Sequence, residues 1–309
     1  MSELSNSVYR YYLGNLQQLE FKDRFHFASR IYLWSGSAEC RELINSYKAE
    51  FSMNNQPELA IKLGIERTKN KPDIGTKNTK EIRQPYMDKY PSLFLYISAL
   101  INICFLKSIY SIDSSELFYS FFDKQEVDAV FKELYSDDKA LSVLSTHAIN
   151  FLYIYALLVL KDEALIDPNR FISVAKEQYD LTNPLHIQLK IYLYTHCIIA
   201  DSLFYYRDID QDKLEAYKIM AEELEQLIKE NFNIVRLDNK FEFLVCKKIL
   251  RLPTTQLDAL IMAEAETSLS EEGHFLIDKR KKSHPTIGSS EHRNVLFIMA
   301  NSEFKPLLI

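Results

Sequence analysis

Between residues 148 and 160 the chain reads AINFLYIYALLVL, an apolar and aromatic run interrupted by a single polar residue, Asn150. As a helix it rises about 1.5 Å per residue and covers roughly 20 Å, short of a hydrocarbon core of roughly 30 Å. It is therefore read as a buried helix of a soluble protein. A helix that is apolar nearly all round must be covered on several sides, which one partner helix cannot do. Comparable segments are expected at 91–110, 139–160, 184–206, 240–251 and 290–301, with starts 45 to 56 residues apart. Each of the first four precedes a more amphipathic segment: 114–135 (broken near Asp123), 167–179, 211–230 and 255–268. That is one helical hairpin per period.

A short echo supports the period. Leu144-Ser-Thr146-His147 and Leu193-Tyr-Thr195-His196 lie 49 residues apart, and Ser290-Glu291-His292 falls two periods later to within two residues. The expected class is all-α: stacked helical hairpins with a period near 49 residues, forming a curved superhelix or a closed array. The closed form is similar in shape to the α/α toroids of several enzyme families, and no motif ties the chain to any of them. Six glycines in 309 residues are too few for a turn-rich β protein. Two places read partly as strand. Residues 185–193 alternate apolar and polar, but the run continues to residue 206, too long for a strand. Residues 234–243 fit either the start of a helix or a small hairpin.

The N-terminal part offers helices at 4–19, 21–34 and 38–51. A polar stretch follows, with a short helix at 57–67 and then a loop marked by Pro72, Gly75 and TKNTKEIRQP. The expected division is 1–53 for the N-terminal helices, 54–85 for a polar linker and 86–309 for the hairpin domain, continuous with the N-terminal helices. Asp167-Pro168 and Asn183-Pro184 read as a capping residue followed by proline in the first turn, and Ser289 or Ser290 as the cap of the last helix.

A net charge of −6 argues against a general polyanion binder, and nucleic acid is the partner least expected. Four cysteines without a CxxC pair fit free thiols in a reducing compartment. The N-terminus lacks a basic start and an apolar leader, so the expected address is cytoplasmic. Nucleotide, acyl-transfer and metal motifs are absent from the sequence, so neither a cofactor nor a metal is expected.

Catalytic candidates are His147, His196, Asp201, Glu291 and His292. A histidine in an apolar helix needs a hydrogen-bond partner; a backbone carbonyl or tyrosine gives an ordinary core residue, a cavity gives a site. Asp201, in the middle of the 184–206 helix, needs a partner too, with Arg207 and Lys248 as options. Glu291, His292 and Arg293 at a helix start can form an acid–base pair or an anion site, although charged residues are common at helix ends that face water. Ligand-binding candidates are Asn150, Tyr194, Tyr205 and Arg293. The basic runs 62–83 and 279–282 read as solvated loops. With 19 Tyr and 19 Phe, the chain can line a concavity with aromatics. The expected function is a helical-repeat binding protein for a peptide, protein partner or small organic ligand. The alternative is an enzyme using histidine and carboxylate acid–base chemistry in a cavity among the apolar helices.

Overall fold

A computed structural model of the chain describes residues 2–70, 77–279 and 285–308. The described residues form sixteen α-helices and no strand, with two isolated β-bridges. The first five are α1 (Glu3–Gly14), α2 (Phe21–Ser35), α3 (Ala38–Phe51), α4 (Pro57–Asn70) and α5 (Lys77–Lys89). Then come α6 (Leu93–Tyr110), α7 (Phe118–Phe121), α8 (Lys124–Ser136), α9 (Asp138–Leu144), α10 (Thr146–Ile154) and α11 (Pro168–Gln178). The last are α12 (Pro184–Asp201), α13 (Gln211–Glu230), α14 (Leu237–Ile249), α15 (Gln256–Glu266) and α16 (Ile287–Ala300).

Local chemistry accounts for most of these boundaries. Asp167 and Asn183 cap α11 and α12 by accepting from the amides of Asn169 and Leu185, each with a proline in the first turn. Gly36 ends α2 in the left-handed region at φ 66°, its amide returning to the Tyr32 carbonyl at 2.8 Å. The expected cap of the last helix moves upstream. Thr286 caps α16 and forms a reciprocal box with Ser289.

Three segments differ from the sequence reading. The loop expected through Pro85 is helical from Lys77, and Arg83 on that helix is buried and donates from Nε to the Val143 carbonyl at 3.2 Å. Tertiary contact thus outweighs the proline in α5. The helix expected over 139–160 is broken at Ser145 (φ 41°, ψ −108°), where its axis bends by 108°. The second half ends in a π-helical stretch, Tyr155–Leu160. The helix expected to 206 stops at Asp201, and Leu203, Phe204 and Tyr205 follow with φ of 49°, 55° and 77°.

The chain divides into two compact units. One comprises Met1–Ser46, Phe204–Asp210 and Lys218–Ile309; the other comprises Tyr47–Leu203 and Gln211–Tyr217. In the first, α16 is central and packs against α14, α2 and α1, with α15 on α14. In the second, α4 packs on α6, α6 on α10 and α10 on α12, while α11 touches both α9 and α12. Among the described residues one straight helix, α6, is long and apolar enough to cross a membrane, and more than half of it is buried inside its unit.

Candidate functional site

A cluster of titratable side chains lies in the first unit, where α2 and α14 both pack on α16. Helix α2 presents His26 and, one turn on, Arg30; α16 presents Glu291 and His292; α14 presents Glu242. Glu291 is buried, and both its oxygens lie within 3.0 Å of His26 Nδ1. On the other edge of the ring, Arg30 Nε donates to His26 Nε2 at 3.2 Å. A guanidinium can only donate, so Nε2 carries the lone pair, the proton sits on Nδ1, and Nδ1 donates to Glu291. Arg30 therefore fixes the tautomer of His26.

The His292 ring lies 5.5 Å from that of His26, and its Nε2 is 3.6 Å from Glu242 Oε1. Half of the His292 side chain is exposed to solvent, whereas Glu242 is buried. These surroundings separate the proton affinities. Burial pushes the Glu291 carboxyl up to about 8, against the opposing pull of His292 and Arg30. Burial, reinforced by the charges of Arg30 and His292, holds His26 well below its ordinary value. For His292, desolvation pulls down, but the hydrogen bond and charge of Glu242 more than reverse it. At neutral pH the cluster thus contains a protonated carboxyl, a neutral imidazole and a solvent-facing imidazole whose proton is held more firmly than usual. Behind it, the Arg30 guanidinium lies 5.2 Å from the Phe204 ring and 5.0 Å from the Tyr205 ring.

The other anticipated residues fall into three arrangements. Arg293, next to His292, is committed to Asp238 at 2.6 Å and lies 3.7 Å from Asp278. In the second unit, His147 on α10 and His196 on α12 flank Asn150. His196 Nδ1 is 3.1 Å from Asn150 Oδ1, and His147 Nε2 is 3.5 Å from Arg83 Nη1 with its ring against Phe94. Burial, with the charges of Arg83 and His196, lowers His147 to about 3. Asp201 is fully buried; Tyr217 donates to it at 2.7 Å and Lys213 Nζ lies 3.6 Å away, while the Tyr217 and Tyr153 hydroxyls are 2.8 Å apart. Lys213 and Tyr217 lie one turn apart on α13, so one face of that helix brings both groups to Asp201. Tyr194 is buried with the Lys190 ammonium 5.3 Å from its ring, and Tyr205 is buried against Trp34.

The sequence reading found Glu291 and His292 but not His26, Arg30 or Glu242. A signal existed for the first two: in FKDRFHFASR they stand four residues apart and so share one helix face. Nothing local pairs them with a helix 265 residues away. No group of three or more His, Cys, Asp or Glu among the described residues is placed to hold a metal ion. Within the basic runs, 71–76 and 280–282 lie outside the described residues. Compared with known proteins, the chain matches no family model, no curated protein and no solved structure.

Proposed function

We propose that the protein binds a small polar organic molecule at the His26–Arg30–Glu242–Glu291–His292 cluster and exchanges a proton with it. Glu291 serves as the stored acid, and His292 serves as the proton carrier that faces solvent. The observation that carries this reading is the buried Glu291 carboxyl, bonded to a histidine whose far nitrogen is occupied by Arg30. A structural ion pair needs no such arrangement, because a carboxylate facing Arg30 directly would be charged and satisfied. Here the arginine faces the imidazole instead, and the carboxyl keeps its proton at neutral pH. Groups tuned to opposite protonation states within one small region are the usual basis of acid–base work.

The scaffold belongs to the same proposal. Within each unit apolar helices pack side by side, α6 on α10 and α10 on α12 in one and α14 on α16 in the other, which supports a stack of hairpins with a period near 49 residues. A curved superhelix or closed α/α array in the cytoplasm is the arrangement we infer from this, and four buried cysteines outside any disulfide fit that address.

Infrared difference spectra of the protein, titrated through neutral pH, provide the test. The protonated-carboxyl band should persist to a midpoint of about 8 and vanish in Glu291→Gln. A panel of small polar compounds should raise the melting midpoint of the natural protein but not of His292→Ala. If Glu291 ionises in the ordinary carboxylate range, the acid has no store of protons and the proposal is lost.

A further inference from the structure

We propose that a cleft between α1, α15 and the C-terminal half of α16 binds an organic cation with an apolar body, such as an arylalkylamine. The cleft has a volume of about 590 Å³, within the size range of small-molecule sites. Leu4, Met262, Leu269 and Phe297 give it an apolar lining, and Glu3 and Glu266 place two carboxylates at it. Among the described residues no basic side chain lines it. Both glutamates are exposed on their helices, whereas Phe297 is buried, so charge sits at the rim and hydrocarbon at the floor.

Ser2, Ser7 and Asn301 are the other polar residues of the lining, and Asn301 has the same preference as the glutamates. Asn301 Nδ2 donates to the Phe297 carbonyl at 2.9 Å and reaches the Met262 sulfur at 3.4 Å. With its amide nitrogen engaged, Asn301 has a carbonyl oxygen left to offer, which accepts and does not donate. An ammonium group donates three hydrogen bonds and is attracted by both carboxylates, which would repel a carboxylate or phosphate ligand. Met262, unbranched and polarisable, can repack around ligand bodies of different shape. This site is separate from the acid–base cluster, which occupies the opposite, N-terminal end of α16.

One scaffold in three charge states tests the assignment: phenylbutylamine, phenylbutanol and phenylbutanoate, titrated into the full chain by calorimetry. The amine should bind on the order of tenfold more tightly than the alcohol at low salt, and the carboxylate least of all. The double variant Glu3→Gln/Glu266→Gln, altered only at exposed positions, should bring the amine to the affinity of the alcohol. Met262→Trp should fill the cleft and abolish binding of all three while circular dichroism stays unchanged. Equal affinity of amine and alcohol in the natural protein overturns the proposal. So does an amine preference that survives the double variant, or the absence of any amine binding.

Discussion

A buried imidazole and a buried carboxyl pull stability in opposite directions as pH changes. His147 has an ordinary value of 6.5 when unfolded and about 3 when folded. Between those limits the unfolded chain takes up a proton that the folded chain refuses. Its contribution is complete above 6.5 and is lost as pH falls, by at most about 1.4 kcal/mol per pH unit. Glu291 behaves conversely, with 4.5 unfolded and about 8 folded. Its contribution is complete below 4.5 and is lost as pH rises to about 8. Denaturant unfolding at a series of pH values should therefore show a shallower acid slope in His147→Gln than in the natural protein. An unchanged slope would mean that His147 is protonated in the fold. At this scale the sequence was partly legible: a histidine inside LSTHAINF needs a partner, but Arg83, 64 residues earlier, cannot be inferred from it.

Among the elements, α9 and α10 hold the clearest local conflict. The segment LSVLSTHAINF contains neither glycine nor proline, and its apolar period runs on without a stop, so a single helix is the natural reading. Yet Ser145 sits at φ 41° and ψ −108°, a region that costs a non-glycine residue about 1–3 kcal/mol. The break is held from outside: Arg83 bonds the Val143 carbonyl, and its Nη2 lies 3.5 Å from Ser145 Oγ. Ser145→Gly should relieve more strain than the flexibility it adds to the unfolded chain costs, for a net gain of about 1 kcal/mol. Ser145→Ala should bring no gain, and equal midpoints for both variants would remove strain from the account. Where caps were written locally, as at Asp167 and Asn183, the sequence was enough. Where a distant side chain decided the outcome, as at Ser145 and along α5, it was not.

Across the whole molecule, the first unit is closed by residues from far apart in the chain. Asn294 is fully buried; it donates to Tyr12, 282 residues away, and to the Leu276 carbonyl, and accepts from the Leu276 amide. Tyr12 in turn donates to the Ile287 carbonyl at 2.9 Å, and Trp34 Nε1 donates to Ser302 at 3.1 Å. Asn294→Ala strands two backbone groups of Leu276 in an apolar interior and should cost about 3 kcal/mol. Amide exchange in α1 should accelerate with it, and protection equal to the natural protein would show that α1 is held by other means. Hydrophobic periodicity announces which residues are hidden but is silent about which distant strip of chain hides them, so the helices were legible and this closure was not. The closure also has a cost in time. On a ribosome adding 5–20 residues per second, the earliest helices wait roughly a quarter-minute to a minute for the segment that covers them. During that wait the faces carrying Tyr12, Phe27 and Trp34, buried once the unit has closed, stand open to water and to other chains.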